Sequence, residues 1–333
     1  MPLAHSRPLS AIPDGEAPRR QRSIAAVVAT KNRPADAARA VGSILRDGGP
    51  GIELCVIDQS DSDATVLALG DFQGDPRLTI VRCEGIGLGA ARNVGIAQCR
   101  AEWIAFTDDD CEALPGWLVG LTAAFSSEPR VAAVFGNVIA APYDRSTGFI
   151  PAYVVQREFA GRTIADKPRL EGIGACMAVR RGAWQALGGF DEEMGAGAMF
   201  RAAEDTDFIV RALLAGMLVC ETPGASVRHH GFRNSSDGLR LIDGYMYGLG
   251  AANMKMQRLA RWAAVGPLTL LGWRWLFGQP VVDLNHRPPR LPRLLAFLRG
   301  AHDALRTPLD RTTGRFTSVP PEPDSASTAA PTA

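Results

Sequence analysis

At 333 residues the chain accommodates one large α/β domain with appendages, or two modest domains. Its 46% hydrophobic and 21% charged residues are those of a globular protein with a real core, and a net charge of +1 excludes a global field that would draw in nucleic acid. The six cysteines (Cys55, Cys83, Cys99, Cys111, Cys176 and Cys220) are scattered without a C-x-x-C pair. That spacing argues against a disulfide framework or structural zinc, and for buried thiols in a reducing cytoplasm.

Residues 1–22 carry Arg and Pro without an apolar stretch, so they predict a disordered segment and no secretory signal. Residues 23–30 (SIAAVVAT) predict a buried strand, followed by a helix from Pro34 to about Leu45. Residues 52–57 and 78–82 predict the next two strands, 89–99 a helix, and 103–107 a fourth strand that delivers Asp108-Asp109-Asp110. Continuous apolar strands alternating with helices predict a mostly parallel sheet covered on both faces. Ligands of such sheets gather at the strand carboxyl ends, where Thr30, Asp58 and Asp108 stand. Beyond a strand at 131–139 the alternation fades into a loop-like 141–170.

Three acids at the end of an apolar strand repel one another unless a cation or solvent intervenes. Hard divalent ions take one or two carboxylates plus substrate phosphates, so Asp108 and Asp110 are candidate ligands and Asp109 can face a bound sugar. A solvated acidic turn capping the next helix, near Pro115, would use the same residues. In EDTDFIVRALLAG, residues 204–216, Phe208, Ile209, Ala212 and Leu213 form one helical face. Glu204 and Asp205 then cap that helix, or Asp205 serves as a general base toward an acceptor hydroxyl.

The segment GIGLGAARNVG, residues 85–95, satisfies G-x-G-x-x-A and makes an NAD(P)-dependent Rossmann oxidoreductase the rival reading. Two β–α units before it, and Arg92-Asn93 within its helix, count against that. Close approach to a ligand, with Arg92 on a diphosphate, is the other use of these glycines. His229-His230 ends a β-like run; such a pair is ordinarily structural, and becomes a ligand if its strand ends near the acids.

Taken in order, VVATKNRP (27–34), VIDQSD (56–61), GLGAARNVGI (87–96), FTDDDC (106–111) and GGFDE with EDTD (188–207) resemble family 2 glycosyltransferases. The resemblance spans roughly residues 24–230. It implies an α/β GT-A fold, here with a helical C-terminal extension. It places Thr30, Asn32 and Arg33 beside the nucleotide and Asp58 on its base or ribose. Arg92 and Asn93 would hold the nucleotide and diphosphate. Asp108 and Asp110 match the D-x-D motif for Mn²⁺ or Mg²⁺, and Asp109 would lie beside the donor. His229 aligns as a further metal ligand and Asp205 as the catalytic base. The implied activity is an inverting, metal-dependent hexosyl transfer from a nucleoside-diphosphate sugar, UDP-sugar by default, to a saccharide or lipid-linked acceptor in bacterial surface-glycan or glycoconjugate synthesis. Cys176 stands where a small polar amide such as Asn is expected, which puts the substrate detail of that loop in question.

The domain layout expected is a catalytic domain at 23–235, with a nucleotide half to about 111 and an acceptor half from 112. A basic helical extension at 236–307 and a disordered Pro/Ser/Thr/Ala-rich tail at 308–333 follow. Residues 263–277 (AAVGPLTLLGWRWLF) are too short and interrupted to span a bilayer. Trp273, Trp275 and Phe277 lie among Arg258, Arg261, Arg274, Arg287, Arg290 and Arg293. These residues predict either a packed helix or a peripheral contact with an anionic membrane, at the inner face of the plasma membrane of a cytoplasmic protein. A non-catalytic nucleotide-sugar-binding protein is the third class; intact acids and Asp205 weigh against it.

Overall fold

The computed structural model describes residues 24–85, 87–260 and 290–317, with positions 266, 269, 270 and 273 between the last two stretches. The strands β1 (Ile24–Thr30), β2 (Glu53–Asp58), β3 (Leu78–Arg82) and β4 (Trp103–Asp108) alternate with α1 (Pro34–Asp47), α2 (Ala64–Ala68) and α3 (Leu88–Gln98). Pro34 occupies the first turn of α1, where a missing N–H costs nothing. β1 pairs in parallel with β2 and β4, and β2 with β3.

Their side chains divide with period two between two cores. Ala26, Val28, Leu54 and Val56 pack on α1, in a core completed by side chains of α4 (Trp117–Ser127). Ala25, Val27, Cys55 and Ile57 pack on α3, in a core completed by side chains of α5 (Arg181–Ala186) and α6 (Glu204–Leu214). Both faces being buried explains why the strand sequences read as unbroken apolar runs.

The second half completes the sheet with β5 (Cys111–Ala113), β6 (Val131–Ala140), β8 (Phe159–Gly161), β9 (Met177–Arg180) and β10 (Leu218–His229); β7 (Gly148–Phe149) pairs separately with β11 (Arg233–Asn234). The main order is β3-β2-β1-β4-β9-β6-β10-β5, with β8 on β10. β9 runs antiparallel between β4 and β6, and β5 antiparallel to β10. The β5 pairing draws Cys111 opposite His229 and so carries the end of β10 to the acids that follow β4. The stretch expected to be loop-like at 141–170 contains β7, β8 and a 3₁₀ turn over Ile164–Arg169, too short for periodicity to register.

The G-x-G-x-x-A segment follows β3, an edge strand, whereas a dinucleotide fingerprint belongs to a central first strand. Gly85 and Gly87 border the pocket at the strand carboxyl ends, while Gly95, further along the helix, serves packing. A Cβ at Gly95 would meet Val27 Cγ1 at 2.3 Å, so glycine lets α3 lie against β1.

The C-terminal extension is a packed helix pair, α7 (Ser235–Ala260) and α8 (Arg290–Arg306), whose contacts advance together from Asp243–Arg299 to Arg258–Thr307. Backbones touch where Gly250 faces the Phe297 carbonyl and Gly300 that of Tyr247. A buried charge cluster ties α7 to the sheet domain. Lys255, fully buried, bonds Asp191 and lies 2.5 Å from Asp207, which also takes Arg211 at 2.8 Å. The expectation of disorder from 308 needs correction: residues 308–317 are ordered. Phe316 is buried against Phe200, with ring centroids 4.8 Å apart, and its N–H donates to Asp191 Oδ2 at 2.7 Å. A single aromatic with a place in the core outweighs the polar composition around it. Arg261, Arg274, Trp275, Phe277 and Arg287 lie outside the described residues. Among the described residues no helix is long and apolar enough to cross a membrane.

Candidate active site

A cavity of about 550 Å³ opens at the carboxyl ends of β1 and β4. Asp108, Asp109 and Asp110 form one side, Glu204 and Asp205 at the start of α6 another, and Leu241, Tyr245 and Leu249 of α7 a third. Three non-glycine residues among those described hold positive φ: Asn32 (57°), Arg201 (59°) and Ala203 (71°). All three sit at this cavity or beside it, each at a cost of about 1–3 kcal/mol that the surrounding structure must offset.

The acids differ in environment. Asp109 is buried; Thr30 Oγ1 donates to it at 2.8 Å and Arg33 Nη1 at 2.9 Å. Burial outweighs Arg33 and lifts its carboxyl to about 6. Burial would also raise Asp110, but the hydrogen bond and charge of His229, with Arg33 and Arg233, carry it below the ordinary value. His229 Nε2 lies 3.1 Å from Asp110 Oδ1, and Arg233 Nη2 lies 3.4 Å from Oδ2. Asp108 is raised by burial and by neighbouring Asp110, with Arg92 opposing.

His229 Nδ1 sits 2.7 Å from the Pro151 carbonyl. A carbonyl only accepts, so Nδ1 carries a proton and Nε2 is directed at Asp110. Asp110, Cys111 and His229 present ligand atoms within 4.8 Å of one another. Cys111 is held as a thiol by burial, which pushes its pKa well up. One carboxylate and one imidazole of that trio remain, donors suited to a hard or borderline divalent ion.

Arg92 organises the other side. It is buried beneath the cavity, with Nη1 donating to Glu204 Oε1 at 3.0 Å and Nη2 to the Gly174 carbonyl at 3.2 Å, while Nη2 forms an ion pair with Asp108 Oδ1 at 3.8 Å. The Gly174 N–H donates to Asp205 Oδ2 at 2.9 Å. A Cβ at Gly174 would lie 2.9 Å from Arg92 and 3.1 Å from Asp205, so the position admits little else. Burial lifts Glu204 to about 7 against the pull of Arg92.

Thr30, Arg33, Arg92, Asp108, Asp109, Asp110 and Asp205 all line the cavity, and His229 lies directly behind Asp110. Asn32 is instead a staple: its amide donates to Asp61 at 2.7 Å and accepts from the Asp61 N–H at 3.0 Å. Asp58 stands just outside the lining; its Oδ1 accepts from Ser60 N–H, while the buried Oδ2 has no hydrogen-bond partner. Asn93 requires correction. It faces away from the cavity, its side chain committed to Phe190, Glu192 and the Trp184 indole. The other face of α3 packs against a turn rather than a ligand. Cys176 is likewise a core residue, and Ile173, Gly174 and Ala175 are what that loop offers the cavity. The sequence reading missed Lys31, Gln59, Arg201, Arg233 and the α7 residues. Arg233 lay within reach, four residues after His229; nothing local marks Tyr245.

Residues 25–188 match the model of the family described as glycosyl transferase family 2. The chain belongs to this family. It is 28% identical over 244 residues to a pre-mycofactocin glycosyltransferase of Mycobacterium tuberculosis, an alignment covering 68% of this chain and 45% of that protein. It is 36% identical over 90 residues to the succinoglycan biosynthesis protein ExoO of Rhizobium meliloti, covering 27% of this chain and 26% of that one. The chain thus spans less than half the length of these curated relatives. Two solved structures share the fold. S. aureus TarS 1–349 superposes with a TM-score of 0.56 at 15% identity, covering 85% of this chain and 80% of that one. The mannosyltransferase PcManGT from Pyrobaculum calidifontis, solved with GDP-Man and Mn²⁺, gives 0.58 at 16%, covering 87% and 76%. The mixed sheet with helices on both faces is therefore a GT-A fold, with a helical C-terminal part added.

Proposed function

We propose that this family 2 chain transfers a sugar from a nucleoside-diphosphate sugar to an acceptor hydroxyl in one inverting displacement. The observation that carries the reading is the convergence of Asp108, Asp110 and Asp205, from β4 and α6, on a single cavity.

Asp108, Asp110 and His229 would hold Mn²⁺ or Mg²⁺. The fit rests on the Pro151 carbonyl, which commits Nδ1 of His229 and leaves Nε2, now 3.1 Å from Asp110 Oδ1, to coordinate once that nitrogen has given up its proton. When bound, such an ion supplies positive charge against the charge that gathers on the diphosphate. Arg33, whose side chain is 44% exposed, can exchange Asp109 and Asp110 for phosphate oxygens, and Lys31 beside Gly85 can do the same. Asp58, whose buried Oδ2 has no hydrogen bond and lies 3.7 Å from Arg82 Nε, is suited to an N–H or O–H of the nucleoside. Asp109, held from two sides, faces the donor sugar as an acceptor of hydroxyl hydrogens.

Asp205 is the base. The Gly174 N–H fixes its Oδ2, and the carboxylate takes the hydroxyl proton as the acceptor oxygen attacks the anomeric carbon. Arg92 positions both sides by contacting Asp108, Glu204 and Gly174 together. Leu241, Tyr245 and Leu249 present an apolar wall near the base, which suits the apolar face of a sugar or a lipid-linked acceptor.

A thermal-shift panel of UDP, GDP and dTDP and their sugars, with and without Mn²⁺, tests the reading. A metal-dependent upward shift with one nucleoside diphosphate is expected. Binding of NAD(P)H that a chelator leaves unchanged would overturn it.

A further inference from the structure

α8 is apolar on two opposite faces. Ala296, Phe297, Gly300, Ala301 and Ala304 point into the α7 contact and are buried. Leu291, Leu295, Leu298 and Leu305 point the other way and are 63%, 52%, 52% and 54% exposed. At about 100° per residue these four leucines, with His302 among them, fall within an arc of about 80°. A stripe of that kind is the signature of a second partner.

We propose that this leucine stripe docks the protein onto an anionic lipid surface. The charge of the chain around it selects that occupant. Residues 258–306 contain eight arginines, no lysine and two acids, Asp283 and Asp303, in a chain whose net charge is only +1. Arg299 and Arg306 flank the stripe and are exposed. The nearby acids are engaged: Asp243 pairs with Arg299 at 3.0 Å, and Asp303 accepts from Tyr247 at 2.8 Å and touches His302. Leucines rimmed by arginine suit the headgroup boundary of an anionic bilayer. A two-fold pairing of copies would instead set this arginine-rich segment against itself. Exposed Leu270 and Trp273, in the chain leading to α8, add apolar side chains of the kind found at that depth. The groove between α7 and α8, lined by Tyr247, Leu295 and Leu298, shares Arg201 with the cavity described above. The docked face therefore borders the cavity mouth.

The test is flotation of the full chain with phosphatidylglycerol–phosphatidylcholine vesicles and with phosphatidylcholine vesicles alone. At about 0.05 M salt the wild type should float with the anionic vesicles only, and about 0.5 M salt should release it. Leu295→Glu/Leu298→Glu should lower the floated fraction about tenfold or more, while Leu67→Glu, on exposed α2, should float as the wild type does. Far-UV circular dichroism checks the fold, and Leu291→Ser/Leu305→Ser repeats the test at the stripe ends. Wild type that stays in the soluble fraction, equal flotation on neutral vesicles, or undiminished flotation of both double variants would each overturn the proposal. So would a dimer in solution that the double variant dissolves without any vesicle binding. None of these readouts depends on sugar transfer.

Discussion

Arg92 on α3 and Glu204 on α6, 112 residues apart in sequence, meet at 3.0 Å in a buried pair beneath the cavity. The pair ties α3 to the helix that carries Asp205. Its guanidinium also lies over the rings of Phe106 and Phe190, 5.3 and 5.6 Å from their centroids. Replacing Arg92 with Ala removes the cation from beside Glu204 and Asp108 and should cost about 3–5 kcal/mol. Because Glu204 already sits at about 7, it can take a proton, so the loss should fall toward the lower end. Urea unfolding near neutral pH measures it; a loss under about 1 kcal/mol would contradict the buried-pair argument.

Asp205→Asn keeps the shape at the start of α6 and removes a basic oxygen. Release of nucleoside diphosphate during transfer should fall by about 10²–10⁴-fold. Donor-nucleotide affinity, measured by calorimetry, should change by less than about threefold, since the reading gives Asp205 no donor contact. A parallel loss of nucleotide affinity would make it a binding residue.

His229→Ala should weaken Mn²⁺ binding by about 10- to 100-fold. The readout is the Mn²⁺ concentration needed for half the nucleotide-dependent thermal shift. His230→Ala serves as the comparison, because His230 faces Glu112 at 3.5 Å rather than Asp110. Equal effects of the two would remove His229 from the metal site.

Lys255→Met leaves Asp191 and Asp207 buried without their shared cation. The expected loss is about 3–5 kcal/mol in unfolding free energy. Limited proteolysis should also show earlier cleavage of the extension, since Lys255 adds a buried charge link to the apolar packing of α7 on the sheet domain. Protection equal to the wild type would show that packing alone holds α7.

Asp207 sets an acid limit. Burial pushes its carboxyl up, but Arg211 and then Lys255 overcome that and hold it below 3.8. A carboxyl depressed in the folded state binds its proton more weakly there than in the unfolded chain. Its contribution is therefore complete above about pH 5 and lost as pH falls below about 4. The stability gap between wild type and Asp207→Asn should be flat from about pH 5 to 7 and shrink in more acid solution. A gap that widens in acid would reverse the sign.

The glycine-rich segment shows where one-dimensional reading stops. It satisfies a dinucleotide pattern, yet its strand is at the sheet edge and Gly95 exists to seat α3 on Val27. Spacing reports which residues share a helix face, not whether that face meets a ligand or another loop. Arg92 and Asn93 are neighbours in sequence, but one reaches under the cavity and the other is spent on Phe190 and Trp184.

What the amino-acid order determined alone was the strand–helix alternation, the end of β4 at the three acids, and Asp205 at the start of a helix. Those are local consequences of apolar periodicity and chain ends. Only tertiary structure decided the rest. The β5–β10 pairing sets His229 against Asp110, so that burial raises Asp109 while His229 and the nearby arginines carry Asp110 down against the same burial. Packing of α7 brings Tyr245 to the cavity and leaves the α8 leucines facing outward. Burial, charge coupling and strand register depend on contacts between residues from about thirty to more than a hundred positions apart, and no window of sequence contains them.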